Sequence, residues 1–426
     1  MHVPNQGTRL LDAFDDYILV SRYAGLSHAE ASDQTRGWRS GIKELLAAKR
    51  RRQDFGAKIG IKYLLTPENA EDLVAGVYTE MTSRERVLAA INHQETDRVP
   101  ADIWAEGEVW SRLIKDLRVP GPDDVRELLD VDVRYVSPVY PPDVEQDGIR
   151  QNMWGERWAK ANTPWGENWE HIDGALSGIS SLAEIEAFPW PTCDQVDYST
   201  LAEQCDRYDG YAIAFGNADI FERPALVRGF ENMLCDTALN PDWVEYLTKI
   251  FLEFFVEDFI RTMDATGGRI DIYYAMTDLG TQSGLLQSMD TFRRFIAPSI
   301  RTLADLIHSY GVKFMFHSCG AVREAIPSLI ELGVDILNPL QPAAEGMEPQ
   351  GLKQDFGKQL SFHGGIDIQY LLPLERPDAV RDEVRRRVEI LGDGGGYILA
   401  PSHNLQQDIS TENILAMYAL SLRGDE

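Results

Sequence analysis

Cysteine is scarce in this chain. Four occur in 426 residues (Cys193, Cys205, Cys235 and Cys319), none within a Cys-x-x-Cys pair. Neither a disulfide framework nor an all-cysteine zinc knuckle is suggested, and a reducing compartment fits. Long apolar runs are missing too: no stretch approaches the roughly 18 residues a membrane-crossing helix needs. The start, Met1-His-Val-Pro-Asn-Gln, has no basic segment followed by an apolar core, so a cytoplasmic protein without a membrane span is expected. Positive charge is in deficit as well, with 41 Lys and Arg against 68 Asp and Glu, a net charge of −27. Such a surface repels nucleic acid and anionic lipid, leaving a small molecule or another protein as the expected partner. Absent, finally, are a Gly-x-Gly-x-x-Gly after a first strand and a phosphate-cradling Walker loop, which weighs against an open nucleotide-binding sheet.

What is present changes character near residue 81. Residues 1–80 read as a helical extension, with amphipathic stretches at Arg9 to Val20 and Gly41 to Lys49; their apolar stripes call for burial against the rest of the chain or a neighbouring subunit. The basic run Lys49 to Arg52 reads as a solvated helix end. Thr82 followed by Glu85 is capping-box chemistry and opens a new helix. From there, short apolar strands alternate with longer helical stretches: Val99 to Trp104, Arg134 to Tyr140, Tyr211 to Phe215, Ile270 to Met276, Val312 to Phe316, Ile336 to Pro339, Leu360 to His363 and Tyr397 to Ala400. Eight strands separated by helices predict an α/β fold, a (β/α)8 TIM barrel over 81–426 behind the helical N-terminal extension. Residues 150–190, with Trp154, Trp158, Trp165, Trp169 and Trp190, read as an insertion after the second strand whose tryptophans serve local packing.

The predicted strand ends gather polar side chains where a barrel keeps its chemistry: Glu106 and Glu108, Asn217 and Asp219, Asp278, His317 and Cys319, Asn338 and Gln341, His363 and Asp367, His403 and Asn404. His317 and Cys319 stand two apart at a strand end, so imidazole and thiol share a face, a pairing suited to zinc. A catalytic zinc takes three protein ligands, and His403, His363 and Asp278 are the candidates for the third.

At this point the chain resembles a known family, the uroporphyrinogen decarboxylase superfamily, which includes zinc-dependent methyltransferases acting with corrinoid proteins. The resemblance runs from Met81 to Leu422. It is carried by Thr82 to Pro100, Leu226-Val-Arg-Gly-Phe-Glu-Asn, Asp278-Leu-Gly-Thr-Gln, His317-Ser-Cys-Gly, Gly364-Gly-Ile-Asp, Ala400-Pro-Ser-His-Asn and Thr411-Glu-Asn413. It implies the same barrel. A decarboxylase of this family holds its many-carboxylate substrate partly with arginines after the first strand; here that place reads Ile103-Trp-Ala-Glu-Gly-Glu108, two acids that would repel it. The methyltransferase branch carries His-x-Cys after the fifth strand and a third ligand, typically cysteine, after the eighth.

The resemblance therefore implies a zinc site of His317, Cys319 and His403, with His363 in reserve, and a corrinoid or methylcobalamin as methyl carrier. A small thiol or a methoxy or methylthio compound is the implied substrate. Asp278 and Glu106 are the expected catalytic acids, and Asn217, Gln282, Asn338, Gln341 and His363 the expected substrate contacts. A corrinoid protein is the expected partner, and a homodimer is compatible. A metal-free decarboxylase on the same barrel is the alternative, and a catalytically idle or regulatory member a third.

Overall fold

The computed structural model describes residues 81–163 and 166–419, with the side chains of residues 163, 166–168 and 217 left aside. The expected helices of residues 1–80, together with Trp165, lie outside this range. The strands are β1 (Val133–Tyr135), β2 (Val144–Gln146), β3 (Ile149–Gln151), β4 (Glu156–Thr163), β5 (Gly166–Gly174), β6 (Ala212–Asp219), β7 (Ile272–Met276), β8 (Lys313–His317), β9 (Ile336–Leu340), β10 (Ser361–Ile366) and β11 (Tyr397–Pro401). Seven of them form one parallel sheet in the order β1-β6-β7-β8-β9-β10-β11.

The eighth barrel position is filled irregularly. Val99 to Trp104 is not the regular strand the apolar pattern predicts. Pro100 has no N–H to give a ladder, and the segment touches its neighbours at single points instead. Ala101 bridges Leu399 in parallel, Asp102 N donates to Leu399 O at 2.8 Å, and Asp132 N donates to Ala101 O at 2.8 Å. One short segment thus joins both edges of the seven-stranded sheet and completes the (β/α)8 arrangement. The second expected strand, Arg134 to Tyr140, pairs only as far as Tyr135; Pro138 interrupts its donors.

Alternation then places side chains. Val133, Ala212, Ala214, Ile272, Met315, Ile336 and Ile398 form a buried cluster inside the barrel, joined by Val87 and Ile91 of the helix Ser83–Ile91. That helix starts with the Thr82–Glu85 capping box, and its C-terminal carbonyls reach the sheet: Gly396 N donates to Ala90 O and Ser361 Oγ to Ile91 O. It closes the amino-terminal end of the barrel. A buried ion network fastens it, with Arg86 2.6 Å from both Asp97 and Asp132 and Arg98 2.7 Å from Asp132. Two residues further along the same inward faces stand Tyr135, Tyr274, His317 and Asn338, so the carboxyl end is lined by polar and aromatic groups.

The insertion after β1 is an antiparallel sheet in the order β2-β3-β4-β5. Trp154, 4 % exposed, stacks on Phe251 at 4.3 Å and meets Phe254 edge-on at 4.7 Å. Trp190 also packs on Phe251. These tryptophans tie the insertion to the long helix Pro241–Thr266. Among the described residues no helix is long and apolar enough to cross a membrane.

Candidate metal centre

β8 ends at His317, and the chain turns at once. Gly320 has φ of +88°, and a Cβ there would lie 2.5–2.6 Å from backbone atoms of Gly280 and Thr281, so only glycine permits this approach. The turn is held by Ala321 N donating to Thr281 O, Gly320 N to Gln341 Oε1 and Cys319 N to Asp278 Oδ1, at 2.7, 2.7 and 2.8 Å. It swings Cys319 back over the strand end, where Sγ stands 3.6 Å from His317 Nε2. His403, just past β11, brings its ring centroid to 6.0 Å from that of His317. One ligand atom from each of His317, Cys319 and His403 lies within 4.8 Å of the others. Ligands on a tetrahedral zinc stand roughly 3.5 Å apart given bonds of about 2.0–2.3 Å, so this group needs only a small contraction to hold one.

The protonation states suit such a role. Burial pushes the His317 imidazole down to about 4, against the opposing pull of Asp278 and Asn338. Burial lowers His403 as well. Both rings are therefore neutral near pH 7 and offer a lone pair. Burial, reinforced by the Asp278 carboxylate, raises the Cys319 thiol, so a metal must displace its proton. Asp278 Oδ1 stands 3.8 Å from His317 Nε2, at the rim of the group.

Two expected substrate contacts turn out to lie beneath the site. His317 Nδ1 is 2.6 Å from Asn338 Oδ1, Asn338 Nδ2 is 2.5 Å from His363 Nδ1, and His363 Nε2 is 2.9 Å from Asp102 Oδ2. Asn338 and His363 are 1 % and 2 % exposed. His363, expected as a substrate contact and reserve ligand, has both ring nitrogens engaged, and Asn338, expected as a substrate contact, stands between it and His317. Asp102 and Tyr135 escaped the sequence reading. Burial raises the Asp102 carboxyl, yet hydrogen bonds from His363, Tyr135 and Ile103 outweigh it and hold the group below the usual carboxylate range. An acid inside the apolar run Ala101-Asp102-Ile103 was the signal for it, since a buried carboxylate requires partners.

Other expected residues sit elsewhere. Gln282, Gln341 and His403 line a cavity of about 240 Å³ together with Asp367, Gln369, Ser402 and Gln406. Glu106 precedes the helix Gly107–Leu117. Burial and the neighbours Glu108 and Asp408 raise its carboxyl, and no hydrogen bond or ion pair joins that carboxyl to the ligand group among the described residues. The Asn217 side chain lies outside the described residues. Next to the site, Asp219 and Glu222 are both pushed up to about 7, by burial first and then by Glu222 and Asp278 respectively.

The architecture is that of a (β/α)8 barrel with its candidate chemistry at the carboxyl ends of the strands. Residues 225–421, somewhat under half of the chain, match the family model described as "Uroporphyrinogen decarboxylase (URO-D)", so this part of the chain is similar to that family of enzymes. A solved methyltransferase from Methanosarcina mazei superposes with a TM-score of 0.58 at 17 % identity, over 80 % of this chain and 98 % of that one. At that identity the likeness is one of fold. A D-psicose 3-epimerase from Clostridium cellulolyticum H10, solved with D-tagatose, reaches a TM-score of only 0.35 at 13 % identity, over 57 % and 85 % of the two chains. No curated protein sequence matches.

Proposed function

We propose that this chain is a zinc-dependent methyltransferase that moves a methyl group between a corrinoid and a small thiol, methoxy or methylthio compound. The observation that carries the reading is the convergence of His317, Cys319 and His403 within 4.8 Å at the strand ends. Zinc held there would supply Lewis acidity toward a sulfur or oxygen of the substrate, lowering a thiol's pKa or easing departure of a methyl group's former owner. Two imidazoles and one thiolate leave that centre at +1, which favours an anionic substrate atom.

The remaining work falls to this chain's own side chains. Asp278 faces the ligand atoms, with Oδ1 accepting from Cys319 N–H and 3.8 Å from His317 Nε2, and its carboxylate would take a proton from a substrate thiol. Gln341 stays anchored to Gly320 through Oε1 while lining the 240 Å³ cavity beside His403, into which Gln282 and Gln406 also contribute carboxamides. The corrinoid carrier rests on the family resemblance of the sequence.

A metal-free decarboxylase fits less well. That reading needs cationic groups for an anionic substrate, whereas the cavity beside His403 is lined by carboxamides, alanines, Ser402, Ile368 and Asp367, with no Lys or Arg among the described residues. The deciding experiment is zinc analysis of purified protein before and after chelation, coupled to cobalamin spectra on mixing with thiols and methyl ethers. Bound zinc near one per chain with a thiol-dependent spectral change is the expected outcome. A chain without zinc affinity that leaves methylcobalamin unchanged would move the decarboxylase ahead.

A further inference from the structure

We infer that Asn338, His363 and Asp102 are positioning residues that decide which nitrogen of His317 is free to bind a metal, an inference that rests on the metal reading of His317. The direction of each hydrogen bond follows from its neighbours. The Trp104 indole can only donate, and it gives Nε1–H to the Tyr135 hydroxyl oxygen at 2.6 Å. The Tyr135 proton is thereby directed to Asp102 Oδ2, 2.5 Å away. Asp102 Oδ1 meanwhile accepts from Ile103 N at 2.8 Å. Asp102 is thus an acceptor at both oxygens, and His363, whose Nε2 is 2.9 Å from Oδ2, must donate.

A neutral His363 that donates from Nε2 has a bare Nδ1. Its partner at Nδ1 therefore has to be the NH2 of Asn338, which fixes that carboxamide with Oδ1 toward His317. Asn338 Oδ1 accepts from His317 Nδ1–H, and the lone pair of His317 is left on Nε2, the nitrogen 3.6 Å from Cys319 Sγ. Trp104 lies parallel to the imidazole, 13° between planes and 5.7 Å between centroids, and limits its rotation. Reversing any one bond reverses the rest: with the carboxamide turned over, His317 Nδ1 would have to accept, and a proton on Nε2 would block ligation. The chain is buried throughout, with Asp102, Asn338 and His363 at 1 %, 1 % and 2 % exposure, so water does not substitute for a missing member.

Two measurements test this. Nitrogen-15 NMR of the zinc-free wild-type protein, with the His317 signals assigned by their loss in His317→Ala, reads the tautomers directly. Protonation of His317 at Nδ1 and of His363 at Nε2 is expected; a proton on His317 Nε2 overturns the inference without bearing on whether zinc binds. Zinc affinity by chelator competition is the second readout, on Asn338→Ala and on Asp102→Asn, the latter linked to His317 through His363 and Asn338. Each is expected to lower affinity about 10–100-fold, with circular dichroism unchanged. Folded variants that hold zinc as tightly as wild type overturn the inference. Should a variant fail to fold, the wild-type tautomers still decide. A wild-type protein that binds no zinc sinks the metal reading instead, and the NMR then judges the polarity of the chain separately.

Discussion

His317 Nε2 and Cys319 Sγ face each other across 3.6 Å, a separation imposed by the strand end and the glycine turn that follows it. His403 completes the group from the end of β11, the last strand of the seven-stranded sheet. If these three are the ligands, Cys319→Ser and His403→Ala should each lower zinc affinity by more than the roughly 10–100-fold that loss of a supporting residue costs. Competition with a chromophoric chelator measures it. A variant that retains wild-type affinity removes its residue from the ligand set.

Much of this was legible in the sequence, for identifiable reasons. Apolar runs bounded by turn residues located β6 to β11 to within a few residues, and the two-residue spacing of His317 and Cys319 predicted a shared face. Prolines blurred the first two strands: Pro100 reduces one to point contacts and Pro138 shortens the other. The antiparallel strands were missed because charged residues break the alternation in Glu156-Arg-Trp-Ala-Lys. The support of His317 could not be read at all. Asp102 and His363 are 261 residues apart, and an isolated histidine carries the same signal whether it binds metal, touches substrate or steadies another ring.

The pH dependence of stability should carry a mark of Asp219. Burial, with Glu222, pushes its carboxyl up to about 7 from an ordinary 3.8. The folded state then holds a proton that the unfolded state gives up, so stability is lost as pH rises through that window. Asp219→Asn keeps an oxygen for Glu222 N–H, now 2.9 Å from Asp219 Oδ1, and sheds the penalty. Urea denaturation at about pH 5 and about pH 8 should show the variant gaining on wild type at the higher pH. Parallel profiles would show that Asp219 is not the group responsible.

Substrate charge should matter away from the reacting atom. The cavity at His403 offers carboxamides, the Ser402 residue and Asp367 but, among the described residues, no Lys or Arg. Among thiols of similar size, neutral ones should therefore be used with a kcat/KM about 10-fold or more above carboxylated ones, equivalent to roughly 1.4 kcal/mol. A preference for carboxylated thiols would place the substrate in a different cavity.

Trp154 is predicted to be structural rather than a substrate wall. It is 4 % exposed and packed on Phe251, Phe254 and Phe255. Trp154→Ala should cost about 3–5 kcal/mol of stability, read from chemical denaturation. KM should stay near wild type in the folded fraction; a raised KM with unchanged stability would assign the indole to substrate instead.

Closure of the barrel hangs on Asp132. Its carboxylate is fully buried and takes Arg86 Nη1 at 2.6 Å, Arg98 Nη1 at 2.7 Å and the backbone N–H of Ala101 at 2.9 Å. Those bonds hold the irregular Ala101 segment between β1 and β11, where regular pairing fails because Pro100 cannot donate. Asp132→Ala would leave the Arg98 guanidinium and the Ala101 N–H without their anion and Arg86 with Asp97 alone, a change in a buried place that typically costs about 3–5 kcal/mol. The loss should be local before it is global. Hydrogen exchange at Asp102 N and Leu399 N, whose bonds of 2.8 Å seal the seam, should accelerate more than exchange at Tyr274 or Phe316 in the middle of the sheet. Since Asp102 sits on that seam beneath His363, zinc affinity should fall with it, and Asp132→Asn, which keeps an acceptor for Ala101, should fall between the two. Uniform acceleration across all strands would show instead that Asp132 stabilises the barrel as a whole and not its closure.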